Sequence, residues 1–293
     1  MGTDWFRHAI IYQILIDRFS RGRQQDLECI ECNGPIFCGG NLRGVIERLD
    51  YLADLGVNAI WLSPFNSTTA YHGYHTTDFF KVEPRFGTIE DLDELIESAH
   101  VRGMRLIMDF VPNHVHKSHP FFREAMQDPA SKYRTWFYFG KGNNYLRFLD
   151  IEELPKLNLS DPAARQHVTT AAIYWLDRGI DGLRLDHVAG PSNDFWEQFV
   201  TSIKSRHPDT VLIGEAFLSG LTWKTLKTVN VSHKRLILWL TAAGIDTTAI
   251  AMRQYAGILD GVLDFRVQNL LKRFVAKPVW YRPGNLLRVL LKA

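Results

Sequence analysis

The chain has 293 residues, of which 46% are hydrophobic, 12% aromatic and 23% charged, an ordinary globular composition long enough to bury a large core. Thirty-four basic against 32 acidic residues leave a formal charge of +2, too weak a field for a phosphate backbone, so nucleic acid is not an expected partner. The reading predicts a soluble, cytoplasmic protein without a membrane partner: no apolar run nears a spanning helix, the first residues MGTDWFRH lack a secretory pattern, and three cysteines cannot build a disulfide framework.

In chain order, HAIIYQILI predicts a first strand over 9–16, and a Gly- and Cys-rich loop follows over 21–40. A repeating unit then begins. Leu42, Val45, Ile46, Leu49, Leu52 and Leu55 recur at helical spacing before Gly56 and a β-branched run, giving a helix and a strand over 57–62. Ile89, Leu92, Leu95, Ile96 and Ala99 repeat the pattern before Gly103 and a strand over 104–109. Val168, Ala171, Ala172, Trp175 and Leu176 do so before Gly179 and a strand over 181–186. Trp196, Phe199, Val200 and Ile203 mark a further helix before strand 211–215, and DGVLDF supplies a strand at 261–265. Glycine suits the left-handed residue just past a helix, and the runs that follow read as strands buried on both faces.

Strand–helix alternation without hairpin signals predicts an α/β fold with a parallel sheet, and the absence of a GxGxxG after the first strand favours a TIM (β/α)8-type barrel, with about six of its eight units present. The aromatic-rich stretch 112–160 has little helical period and reads as a small inserted domain after strand 3. The expected division is thus 1–111 and 161–293 for the barrel and 112–160 for the insertion. No strand is predicted within 218–259.

Carboxylates close three strands: Asp109, Asp186 and Glu215. Asp109 alone reads as a residue that organises a turn or pairs with a base. Arg184 lies two residues before Asp186, so both side chains face one way, and a guanidinium there is expected to hold Asp186 ionised. Glu215 ends the next strand, at a spacing that lets the two carboxyls approach the 5–5.5 Å of retaining glycosidases. The Asp186 charge and burial would raise the Glu215 pKa and suit it to donate a proton.

DFVPNH (109–114), GLRLDH (182–187) and IGEAF (213–217), in this order on successive strands, resemble three short regions of the α-amylase family, glycoside hydrolase family 13. AYHGYHTTDFF (70–80) is similar to that family's second-strand loop, and LPKLN (154–158) to its motif near the end of the inserted domain, closer to the MPKLN of the neopullulanase and cyclomaltodextrinase branch than to QPDLN. The resemblance runs from about residue 8 to 275. It implies Asp186 as nucleophile, Glu215 as general acid/base, Arg184 orienting Asp186, and His114 hydrogen-bonding a sugar on whose face Tyr74 stacks. His187 is implied to contact the next subsite or to fill the rim, and Asn113 to ligate a possible calcium; no organic cofactor is expected. The implied activity is retaining hydrolysis of α-glucosidic, chiefly α-1,4, bonds in starch-like glucans or maltooligosaccharides.

The family's third carboxylate, an Asp in an NHD-type motif after a seventh strand, has no counterpart: no Asn-His-Asp follows residue 217. A truncated gene product with little activity is therefore expected, leaving an unpaired sheet edge. Three other readings stand beside this one. A non-catalytic glycan- or partner-binding barrel would be free to lose Arg184, Asp186 and Glu215, which are all present. A metal-dependent barrel hydrolase could use the HxH pair of NHVHKSHP (113–120), but Glu215 and Asp264 stand where its later histidines belong, so His116 and His119 read as solvated loop residues. Cys29, Cys32 and Cys38 could bind zinc or remain three reduced thiols.

Overall fold

The computed structural model describes residues 3–22, 32, 34–216, 226–230, 234–243 and 247–276. Six parallel strands form one sheet: β1 (Ile11–Ile14), β2 (Ala59–Leu62), β5 (Arg105–Phe110), β6 (Gly182–Leu185), β7 (Val211–Gly214) and β8 (Gly261–Val262), hydrogen-bonded in that order. All six coincide with predicted strands. Curled into a half-barrel, the sheet has β1 and β8 as its edges. A separate antiparallel pair, β3 (Asn66–Thr68) and β4 (Thr76–Val82), follows β2 and was not predicted.

Alternation along the strands sorts the side chains. Ile60, Leu62, Leu106, Met108, Phe110, Leu183, Leu185 and Leu212 join the large core under the helices. Ala59, Ile107, Val211 and Ile213 point to the concave face, where Trp61, Leu263, Trp5 and Phe6 pack against them. The central strands β6 and β7 are buried on both faces, as parallel sheets require, whereas edge strand β1 exposes Ile11 and Gln13.

The helices start where their caps dictate. Thr88 and Asp91 form a reciprocal capping box at Ile89–Val101, Asp161 accepts from the N–H groups of Ala163 and Ala164 at Pro162–Asp177, and Ser192 accepts from Phe195 N–H at Asn193–Arg206. The predicted first helix is two pieces, Leu42–Ile46 and Leu49–Asp54, because Arg48 leaves helical geometry (φ −108°, ψ 7°). Gly56 and Gly103 take φ of 79° and 72°, the left-handed turn that ends each helix.

Residues 112–160 are less irregular than expected. Pro120 opens a helix, Pro120–Gln127, and isolated bridges (Phe137 with Leu157, Phe139 with Tyr145, Arg147 with Pro155) fold the remainder around buried Phe122 and Trp136. His119 caps that helix and is buried, as is His116, so neither is the solvated loop residue predicted. Within 218–259, helices Lys234–Ala242 and Thr248–Arg253 occur, with no strand among the described residues.

The first loop also differs from expectation. Cys32 and Cys38 are joined as a disulfide with Cα atoms 5.6 Å apart, so three free thiols or a three-thiolate zinc site are not what this structure holds; Cys29 lies outside the described residues. The Cys38 N–H donates to both oxygens of buried Asp17 at 2.9 Å, which anchors this end of the loop to the barrel. Among the described residues no helix is long and apolar enough to cross a membrane.

Candidate active site

Sheet register assembles the site. Asp109 pairs with Arg184 across β5 and β6, and Leu185 pairs with Gly214 across β6 and β7. The next residues, Asp186 and Glu215, therefore emerge side by side at the C-terminal ends of their strands. Arg184 ties the three acids together: Nη1 donates to Asp109 Oδ1 at 2.7 Å and to Asp186 Oδ1 at 2.8 Å, and Nη2 lies 2.6 Å from Glu215 Oε1. Arg184 and Asp186 are buried, Asp109 is fully so, and the Glu215 side chain keeps 21% exposure. Glu215 is the member most open to a ligand.

Three carboxyls around one guanidinium cannot all be charged cheaply. Burial raises the Asp186 and Glu215 pKa values, and the Arg184 charge pulls against it in both. A hydrogen bond between the two carboxyls lowers Asp186 and raises Glu215. The two carboxyls therefore titrate as a pair. Arg184 does oppose protonation of Asp186, as predicted, but burial outweighs it. Burial also pushes Asp109 up to about 7, against the pull of Arg184.

Asp109 is the residue that sequence reasoning undervalued. It does pair with a base, yet it is no turn-former: besides Arg184, it accepts from Tyr74 Oη at 2.8 Å and from Trp61 Nε1 at 3.1 Å. Trp61 on β2 was missed, although its place in the inward-facing register of a strand was readable. Tyr74, implied to stack on a sugar, lies beside the cluster through its bond to Asp109.

His114 is buried, its Nε2 lies 3.2 Å from the Tyr74 carbonyl, and its ring stacks on Phe148 at 4.4 Å. Phe148, within the 112–160 stretch, also meets His187 edge-on at 4.7 Å, and no sequence signal singled it out. His187 has φ of +46°, an uncommon conformation for a non-glycine residue. Its N–H reaches Glu215 Oε2 at 3.3 Å, and its buried Nε2 has no hydrogen-bond partner among the described residues. Burial and nearby cations depress its pKa, so the ring is neutral.

The profile described as the α-amylase catalytic domain matches residues 13–234, about three-quarters of the chain. The chain belongs to the α-amylase family. It is 37% identical to Alpha-amylase 2 of Dictyoglomus thermophilum over 277 residues, 94% of this chain and 44% of that protein. It is 34% identical to the intracellular maltogenic amylase of Bacillus subtilis over 234 residues, 75% of this chain and 40% of that protein. Among solved structures, the type III pullulan hydrolase of Thermococcus kodakarensis superposes with a TM-score of 0.67 at 31% identity, over 78% of this chain and 46% of that one. The chain spans less than half the length of these relatives.

This member of the α-amylase family does not present Asn113 as a calcium ligand. Calcium needs six to eight oxygens, and the Asn113 side-chain oxygen accepts instead from Lys156 Nζ at 2.6 Å. Both residues are buried, and the Lys156 Nζ occupies the side of that oxygen an ion would need. Sequence reading missed this because Lys156 lies 43 positions away in LPKLN. Calcium added after treatment with a calcium-selective chelator is expected to leave the thermal midpoint unchanged; a calcium-dependent rise would contradict the assignment.

Burial pulls the Lys156 pKa down from 10.5 to about 7. Between those values the unfolded chain holds the proton and the folded chain has released it, so this residue makes stability rise as pH increases from about 7 towards 10.5. Lys156→Met is expected to remove that rise. Urea unfolding of both proteins from pH 7 to 10 reads it as a slope difference of up to about one proton, ~1.4 kcal/mol per pH unit. Parallel slopes would refute the prediction.

The rival barrel metallohydrolase finds no support in this arrangement. His114 is turned to Tyr74 and Phe148, and the later strand end carries Glu215 on Arg184.

Proposed function

We propose that this chain carries the nucleophile and the proton donor of a retaining glycoside hydrolase acting on α-glucosidic, chiefly α-1,4, bonds of starch-like glucans or maltooligosaccharides. The observation behind the reading is the single guanidinium of Arg184 holding Asp186 and Glu215 together, with Glu215 the more exposed of the two. Glu215 protonates the leaving glycosidic oxygen while Asp186 attacks the anomeric carbon to form a covalent glycosyl ester. Deprotonated Glu215 then takes a proton from water, which releases the sugar with net retention. Arg184 orients Asp186, and Tyr74 supplies an aromatic face for the pyranose. His114 serves the same subsite, though its two ring nitrogens now face Tyr74 and Asn113, and His187 lines the wall towards the next sugar.

Residues 112–160 are assigned as the inserted domain between barrel parts 1–111 and 161–293. The names of the relatives, a maltogenic amylase and a pullulan hydrolase, support an α-glucan substrate. Calcium at Asn113 is not part of the proposal. Cytoplasmic residence draws support from the name of the Bacillus subtilis relative, whereas a Cys32–Cys38 bond suits an oxidising compartment. Thiol counting on protein purified without reductant separates them: one free thiol accords with the disulfide, three with the cytoplasm.

The test is maltotriose hydrolysis by the 293-residue chain and by a gene product extended to the length of the relatives. The shorter protein is expected to be nearly inactive, for want of an Asn-His-Asp carboxylate after residue 217. The longer one is expected to release α-anomeric products. β-Anomeric products, or no cleavage of any α-glucoside by the longer protein, would overturn the proposal.

A further inference from the structure

Three segments converge on the rim beside the carboxylate cluster, on the far side of Tyr74 and His114. Main-chain bonds fix them: His116 N–H donates to the Thr76 carbonyl at 2.9 Å, Val115 N–H to that of Pro155 at 3.2 Å, and Lys117 N–H to that of Glu153 at 2.8 Å. The side chains of His75, His116 and Glu153 meet there, with one ligand atom from each lying within 4.8 Å of the others. The two imidazoles stack at 5.5 Å between centroids and 16° between planes. The Ser118 N–H donates to His116 Nδ1 at 3.2 Å and the Ser118 hydroxyl lies 2.7 Å from the same nitrogen, which together fix the orientation of the ring. Glu153 is exposed, and its contact with Lys117 Nζ at 3.6 Å is a weak surface pair that it can give up.

We propose that His75, His116 and Glu153 form a binding site for a divalent transition metal ion, zinc foremost, with water as the fourth ligand. Two imidazoles and a carboxylate are a donor set zinc accepts, at about 2.0–2.2 Å to each atom. Calcium and magnesium, which take oxygen, are disfavoured. The present spread closes to tetrahedral spacing by rotation of the three side chains, because the backbones are already tied together. A bound ion clamps the start of β4 to the chain after β5 and to the end of the 112–160 segment.

The probe is zinc sulfate alone, titrated calorimetrically into the purified protein, with thermal unfolding as a second readout. The expected result is saturable binding of one zinc per chain and a raised unfolding midpoint. Glu153→Gln should weaken binding by about tenfold or more, with metal-free stability unchanged because the residue is exposed. His75→Ala should abolish binding, and circular dichroism checks that the variant is folded. No saturable binding would overturn the proposal. So would equally tight binding by Glu153→Gln and His75→Ala, which would place the metal elsewhere.

Discussion

Glu215→Gln is expected to lower turnover of an α-1,4-linked maltooligosaccharide by about 10²- to 10⁴-fold in the extended gene product. Glutamine keeps the shape and can still meet Arg184 and Asp186, but it has no proton to give the leaving oxygen. The loss should shrink for a substrate such as an α-glucosyl fluoride, whose leaving group needs little protonation, and only in the glycosylation step. That contrast separates lost acid catalysis from a disturbed fold, which would depress both substrates alike. Comparable loss on both would assign Glu215 a structural role.

The second large effect is on stability. Arg184→Met leaves Asp109, fully buried, with only Tyr74 and Trp61 as donors, and leaves Asp186 with only the Glu215 carboxyl among the contacts described above. Removing one partner of a buried ion pair typically costs about 3–5 kcal/mol, because the other charge is stranded. The sign of the pH effect follows from the same picture. Without the guanidinium the carboxyls bind protons more tightly in the folded chain, so the deficit should be greatest near pH 8 and shrink towards pH 5, where they are neutral. Urea unfolding of wild type and variant at both pH values measures it. A deficit under about 1 kcal/mol, or one that grows on acidification, would show that Arg184 is not the counter-ion of this cluster.

The parts that were legible in the sequence are those set by local period and by register. Ile60, Leu106, Leu183 and Leu212 belong to short runs buried on both faces, and such runs announce a parallel sheet. Once the strands were placed, Arg184 two residues before Asp186, and Glu215 on the next strand, followed from pleat and pairing alone. Contacts between segments far apart in the chain were not legible. Nothing near Asn113 signals that Lys156 will fill its oxygen, nor does anything near His114 announce Phe148. The reading of Asp109 as a turn residue failed because its partners sit on β2, before β4 and on β6, and a fully buried acid is explained by what surrounds it in space. The helix break at Arg48 and the helix beginning at Pro120 were missed for a simpler reason: each is a turn or two long, below the span over which periodicity speaks.

Covalent trapping tests the central claim most directly. An active gene product containing this chain, treated with 5-fluoro-α-glucosyl fluoride and digested at low pH, should yield one labelled peptide, with the glycosyl mass on Asp186. The Glu215→Gln variant should hold that label longer, since it lacks the base that activates water. Label on any other carboxyl, or turnover of the reagent with inversion and no adduct, would contradict the assignment of Asp186 and Glu215 to opposite roles on one sugar ring.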